Sequence, residues 1–584
     1  MVKTQQAVHV ARTKSRRVNK AGETVEYESV LLRRSYREGA KVRHETLANL
    51  AALPEHAIES LRASLAGKTL VEATAGLEVV RSLPAGHVDA VHQMARGLGI
   101  EALLGPACRE REVIMGLITA RICAPASKLA SLHWFQDTTI GADLGPVSTD
   151  EAYRAMDWLL ARQPRIESAL ARRYLGPAAN PQKLALFDLS SSWVTGHHNP
   201  LAARGYSRDK KKGVEQIEYG MLSTSAGIPI AVRVVPGNTA DPAAFTSIAG
   251  ETKDLAGVED IVMVGDRGMI TSARIRALAK LGGLGWVTCL RAPAIQSLAE
   301  DDGPLQMSLF DEQDLAEISH PDYPDERLIA CRNPALAAER GRKRAELLAA
   351  TEDELATIAA AVAAGRQHGA GGIGVRVGKI INHYNMAKHF DLSITDTTFT
   401  YRRREESIST EAALDGIYVI RTSVTADRLD AGAAVRVYKS LANVEKIFRS
   451  LKSMDLRIRP IHHHTENRTR AHVFLCMLAG HLTWHLRQGL APLTFTDEHR
   501  PVPENPVTAA TRSPHAQAKA STRTLNNGDP ARSFRTLLGH LATRTRNTLR
   551  ATGTTTTFDL TALPTPTQRQ ATELIDQHTA AYGK

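Results

Sequence analysis

Three acidic residues define the chemistry to look for in this chain: Asp188, Asp266 and Glu445. Asp188 sits in LALFDLSSSW, where residues 184–189 read as a buried strand. A carboxylate inside such an apolar run is costly unless it is paired or bound to metal. Asp266 closes DIVMVGD, in which 261–264 form a short apolar strand and Gly265, Arg267 and Gly268 mark a tight exit turn. Glu445 lies in YKSLANVEKIFRSLK, residues 438–452, which reads as one short helix. At about 100° per residue, Val437, Leu441, Val444, Phe448 and Leu451 share one face, and Tyr438, Glu445, Arg449 and Lys452 line an adjacent one. On an isolated helix, such a carboxylate followed by cations is a solvated face with salt bridges, and either aspartate alone is a turn or cap residue. Together they form hard oxygen ligands on strand, strand and helix, as two-metal phosphoryl transfer requires.

On these residues the chain resembles bacterial insertion-sequence transposases of the DDE class, which have a ribonuclease-H-like core. The subgroup it is most similar to carries Y-x-x-R-x-x-x-E-x-x-x-x-x-x-K around its third acid. Tyr438, Glu445 and Lys452 fall at those spacings, and Leu441 occupies the arginine position. GNTAD at 237–241, DGIYVIRTS at 415–423 and the stretch 455–482 belong to the same series, so the resemblance covers residues 1–490. It implies Mg²⁺-dependent DNA cleavage and strand transfer, with Mn²⁺ as an alternative ion. Asp188 and Asp266 would hold one metal and Asp188 with Glu445 the second, while Tyr438, Arg449 and Lys452 grip phosphates beside the scissile bond. The implied partners are double-stranded DNA, as inverted repeats and as target, and a second copy of the chain in a homodimeric synaptic complex. Two other classes share these features: a ribonuclease-H-like nuclease that cuts without joining, and a transposase-derived protein that only binds DNA. The intact acids argue against the second.

The elements needed to position these residues are legible as apolar runs. Strands are expected at 184–190, 217–223, 228–235, 260–265 and 285–290, with helices at 242–255 and 272–281. Three successive strands followed by alternating helix and strand give an α/β fold, a ribonuclease-H-like mixed sheet. The core is expected at 179–291 and 431–490. The span between Asp266 and Glu445 is too long for one loop, so an insertion subdomain is expected at 292–430, with a long Ala/Glu/Arg-rich helix at 333–367 and strands at 393–401 and 416–422. In the resembling subgroup such an insertion handles a DNA hairpin by stacking on a flipped base. This one lacks tryptophan, leaving Tyr323, Tyr384, Phe399, Tyr401 or Tyr418 as the stacking surface.

Before the core, residues 1–53 form a basic segment in which RTKSRRVNK precedes strand-like runs 24–33 and 35–43, a small β-hairpin able to contact a phosphate backbone. Residues 54–178 read as helical, and the resemblance implies an end-recognition domain there. The loop GYSRDKKKG, with Lys210, Lys211 and Lys212, concentrates charge near the Asp188 strand, and with Arg267 it joins the expected DNA contacts. Residues 491–584, rich in Thr, Pro and Arg, read as a flexible tail that adds DNA attraction through Arg512, Lys519, Arg523 and the arginines of 532–550.

The 584 residues carry a net charge of +11 and are 43% hydrophobic, which suits several packed units and a polyanionic partner. Five cysteines without a paired spacing read as reduced thiols. His481 and His485, four apart on an apolar helix, read as core or DNA-proximal residues, and no zinc spacing accompanies the histidines at 462–464. No signal peptide and no membrane-spanning run is apparent, so a cytoplasmic location without a membrane partner is expected.

Overall fold

The computed structural model describes the chain except residues 1–6, 19–21, 23, 39–40, 69–75, 197, 206–210, 212, 240–249, 252–260, 268–269, 271, 301–302, 553 and 583–584. The helix expected at 242–255, Lys210 and Lys212 therefore lie outside the described residues. The chain divides into two compact units, one made of 1–82 with 546–562, the other of 83–545 with 563–584.

In the first unit, β1 (Ala7–Val18), β2 (Thr24–Glu38) and β3 (Lys41–Asn49) form an antiparallel sheet with β2 at its centre. The expected hairpin is thus a three-stranded sheet. The runs 24–33 and 35–43 do not pair with each other, because β2 continues unbroken through Arg34 to Glu38. Val30, Leu50 and Ile58 bury one sheet face under the helix Glu55–Leu65. A second small sheet pairs β4 (Leu77–Pro84) with the strands Thr545–Ala551 and Thr557–Thr561.

The second unit is built on an eight-stranded mixed sheet. Its strands are β5 (Leu184–Trp193), β6 (Gln216–Ser223), β7 (Pro229–Pro236), β8 (Ile261–Val264), β9 (Leu284–Cys289), β10 (Leu315–Ile318), β11 (Arg327–Arg332) and, after the separate hairpin of β12 (Phe390–Ile394) and β13 (Phe399–Arg403), β14 (Ile417–Thr422). Their order is β10-β11-β14-β9-β8-β5-β6-β7. β5, β6 and β7 form an antiparallel meander, and β8 and β9 run parallel to β5, which is the ribonuclease-H-like arrangement expected from the run of elements. Burial on both faces explains why these strands read as near-continuous apolar runs.

Three expectations are corrected here. β11 and β14, placed in the insertion by the sequence, extend the core sheet through antiparallel pairing of β14 with β9. The part with its own core is therefore narrower, the helices Pro334–Ala363 and Ala370–Tyr384 with β12 and β13, closed by Leu355, Ile358, Ile373 and Phe390. The helices of 83–175 are not a separate domain. Arg109–Cys123 is buried from Val113 to Ile122 and, with Thr149–Leu160, packs on the central helix Glu466–Gly489, sharing one core with the sheet. The segment 491–584 is not a tail: helices Pro514–Thr522, Phe534–Ala542 and Pro566–Tyr582 bury Phe534, Leu537, Leu538 and Ile575. Lys519, expected to attract DNA, is instead 2% exposed and bonded to Glu498 at 2.8 Å. Each buried aliphatic side chain contributes about 1.5–3 kcal/mol, enough to hold such segments against a polar average composition.

Candidate active site

The parallel register fixes the first two acids. Leu186 of β5 pairs with Val264 of β8, and Val264 pairs with Val287 of β9. Two residues farther along each chain, the same levels are occupied by Asp188, Asp266 and Cys289. Neighbouring strands lie about 4.8 Å apart, and the two acids belong to adjacent strands, Asp188 within β5 and Asp266 in the turn two residues past the end of β8. A side chain added at Gly265 would meet Ile270 at 2.9 Å and the Phe187 carbonyl at 3.7 Å, which places the turn carrying Asp266 against the residue before Asp188. Asp188 is half-buried, accepting the Leu189 amide at 2.8 Å, and Asp266 is exposed.

The third acid comes from above the same sheet face. Alternation along β5 puts Asp188, Ser190 and Ser192 on one side, and Tyr219, paired with Ser190, shares it and meets the Ser192 hydroxyl at 3.1 Å. The helix Leu441–Arg449 packs on β5, with the Phe448 ring 5.8 Å from that of Tyr219. Val444, Phe448 and Leu451 are buried as the stripe requires, and Leu441 packs half-buried at its border. Glu445 is exposed beside this stripe. Among the described residues no three His, Cys, Asp or Glu side chains are close enough to hold a metal ion. The helix bearing Glu445 thus lies over the face of β5 that carries Asp188, and carboxylates are hard oxygen donors of the type divalent ions prefer.

The expected single helix carrying both Tyr438 and Glu445 is two helices, Ala431–Lys439 and Leu441–Arg449, joined at Ser440, and Lys452 sits in a wider turn at Ser450–Met454. Tyr438 lies near Cys289 and Asp266. Burial, then the Cys289 thiol and the Asp266 carboxylate, push its hydroxyl above the usual phenol range, with Arg267 opposing. Burial likewise raises the Cys289 thiol, against a hydrogen bond with Tyr438. Arg449 points elsewhere: with Lys446, Asp455, Trp484 and Arg487 it lines a hollow of about 340 Å³. Lys211 lies over the Trp193 ring at 3.9 Å, and Arg459 lies 4.7 Å from the same ring.

A family profile described as "Transposase DDE domain" matches residues 190–480, and one described as "IS1634 family transposase, N-terminal domain" matches residues 13–74. The chain belongs to the insertion-sequence transposases of the DDE class. DDE transposases are metal-dependent polynucleotidyl transferases and endonucleases that use divalent ions, and Asp266 and Glu445 lie inside the matched stretch while Asp188 lies just before it. Among solved structures, a cryo-EM structure of a piggyBac transposase synaptic complex with hairpin DNA is 7% identical, covering 78% of this chain and 77% of that chain with a TM-score of 0.31. No curated protein matches in sequence.

Sequence reasoning missed two features of this transposase. Cys289 reads in the sequence only as a buried thiol, although its position at the end of an apolar strand parallel to that of Asp266 puts it in the row. A cleft of about 750 Å³ runs from Arg267 and Cys289 to Arg340, Lys343 and Arg344 of the long insertion helix. The sequence displays those cations at i, i+3 and i+4, yet they read there only as helix composition. Of the five aromatic candidates for stacking, Tyr418 alone lines the cleft, and Phe399 is buried in the insertion core. His481 and His485 are buried, His481 bonding the Pro229 carbonyl at 2.9 Å. Among the described residues, no single helix is long and apolar enough to cross a membrane.

Proposed function

We propose that this transposase cuts and joins the ends of its own element with Asp188, Asp266 and Glu445 as the catalytic carboxylates, holding Mg²⁺ or, in its place, Mn²⁺. The observation that supports this reading is the parallel pairing of β5, which bears Asp188, with β8, which leads into Asp266, together with the packing of the Glu445 helix on β5. Divalent ions bound there supply Lewis-acid stabilisation of the attacking and leaving oxygens. The chain's own groups do the positioning. Asp188, fixed in mid-strand, and Asp266, at a strand end, hold their carboxylates in one row, and Glu445 approaches over the same face. Tyr438, kept protonated by its surroundings, donates a hydrogen bond beside Asp266. Arg267 and Lys452 contact the phosphates flanking the scissile bond, and the cationic cleft along Arg340 and Lys343 continues that path. Lys211, between the undescribed Lys210 and Lys212, adds attraction near the Asp188 strand; Arg449 contacts DNA only if the duplex reaches its separate hollow.

Cleavage breaks a phosphodiester P–O bond with water as the incoming group and leaves a 3′-OH. That hydroxyl then forms a new P–O bond to target DNA as another breaks. Joining two ends in register calls for a homodimer, with double-stranded repeats and target as partners in the cytoplasm. The test incubates the protein and its Asp188→Ala variant with Mg²⁺ and a labelled duplex taken from the ends flanking its own gene. Nicked and joined products that vanish in the variant support the reading. Cutting without joining indicates a nuclease, and binding without cutting a DNA-binding derivative.

A further inference from the structure

The hollow of about 340 Å³ that Arg449 lines is enclosed by three elements. The helix Leu441–Arg449 brings Lys446 and Arg449, the central helix Glu466–Gly489 brings Thr483, Trp484 and Arg487, and the turn between β6 and β7 brings Ala226. Direct bonds fix this enclosure. Asn443 donates to the Ser225 carbonyl at 2.9 Å, and the Trp484 indole N–H donates to the Ala226 carbonyl at 3.2 Å. The half-buried indole is thereby held as one wall.

Positive charge is in surplus around it. The acid of the lining, Asp455, is 5% exposed, and its two oxygens accept from Arg487 and from the Ser450 hydroxyl, each at 2.6 Å. Lys446 is exposed and has no acidic partner among the described residues. Two further donors, the Thr483 hydroxyl and the Arg487 Nε, are buried without a partner. A buried helical threonine can turn its hydroxyl to the carbonyl four residues back, as Thr119 does to Met115 and Thr469 to Thr465. Thr483, 2% exposed, makes no such bond. Buried donors left open cost stability, and a ligand that accepts hydrogen bonds recovers it.

We propose that this hollow binds a free mononucleotide, with the base against Trp484 and the phosphate between Lys446 and Arg487. An aromatic wall suits any base, since every base has a π-face. Phosphate oxygens only accept, which matches open donors in a surplus of positive charge. The hollow falls within the range of small-molecule sites, about 300–1,000 Å³, and so has room for a base as well as a phosphate. Because Lys446 directly follows Glu445, a ligand joining it to the central helix braces the helix that carries the third acid. The binding itself does not depend on any catalytic role.

The experiment is equilibrium dialysis of labelled adenosine and guanosine monophosphates against the full chain without DNA, with inorganic phosphate and the unphosphorylated nucleosides as competitors. The expected result is saturable binding at one site per chain, displaced only weakly by either half of the ligand. Lys446→Ala should weaken binding about tenfold, the loss of one charge-assisted bond, and the exposed-cation control Lys379→Ala should leave it unchanged. Thr483→Val should weaken it roughly threefold to tenfold while its unfolding midpoint stays at or above that of the wild type, since the hydroxyl removed bonds nothing in the folded chain. No saturable binding at millimolar nucleotide would overturn the proposal, as would wild-type affinity in both Lys446→Ala and Thr483→Val. Displacement by inorganic phosphate as effective as by the nucleotide would reduce the hollow to an anion site, and complete displacement by an element-end duplex would assign it to DNA; either result also overturns the proposal. The catalytic reading fails separately, since dialysis without DNA does not involve Asp188 and cleavage by Asp188→Ala does not involve the nucleotide.

Discussion

Tyr438 and Cys289 show how the residues next to the acids act. With its hydroxyl pushed upward by burial, Cys289 and Asp266, Tyr438 stays protonated across the working pH range and serves as a donor, never a base. Replacing it with phenylalanine keeps the ring's packing and deletes one hydrogen bond, a net effect of about 0.5–1.5 kcal/mol. Tyr438→Phe should therefore cleave a few-fold to about tenfold more slowly in single-turnover assays, with end affinity unchanged. Cys289→Ser, which preserves a donor, should lie between the two. A wild-type cleavage rate in Tyr438→Phe would mean that the hydroxyl takes no part.

The Glu445 helix depends on the sheet beneath it. Phe448 anchors it against Tyr219, and Asn443 donates to the Ser225 carbonyl at 2.9 Å. Phe448→Ala should cost about 3–5 kcal/mol and lower cleavage further by loosening the helix that carries Glu445, read as a fall in the unfolding midpoint together with loss of product. A conservative Phe448→Leu that restores stability should restore cutting as well. This packing was visible in the sequence because Val444, Phe448 and Leu451 repeat at helical spacing, as were β5, β6, β7 and the helix Ser272–Leu281, each a bounded apolar run. The break at Ser440 was not, since no proline or glycine marks it. Nor could local patterning show β14 beside β9, because their pairing joins segments far apart in sequence. The C-terminal helices were hidden for another reason: Phe534, Leu537, Leu538 and Leu541 carry a sound apolar stripe, but the surrounding Thr, Pro and Arg dominate the composition.

Across the second unit, buried titratable groups tie stability to pH. His87 and His481 are both buried, and burial lowers each from 6.5 to about 4, with the Pro229 carbonyl partly opposing at His481. Between those values the unfolded chain binds a proton at each site and the folded chain does not, so stability rises with pH. Their contribution is complete above pH 6.5 and is lost as pH falls through about 4, on the order of 3 kcal/mol for the fully buried His481. Lys128, buried against His472 at 3.1 Å, is lowered to about 7, first by burial and then by Arg121. It acts in the same sense at the other end of the range: the unfolded lysine holds its proton up to about 10.5, so stability increases further as pH rises above 7. Denaturant midpoints measured from pH 4 to 9 should therefore climb through both windows, and His481→Gln should flatten the acid limb while leaving the alkaline limb as it was. A midpoint that stays level between pH 4 and 6.5 would mean that these histidines are already charged in the folded protein, contradicting the dry packing of the helix Glu466–Gly489 against the sheet.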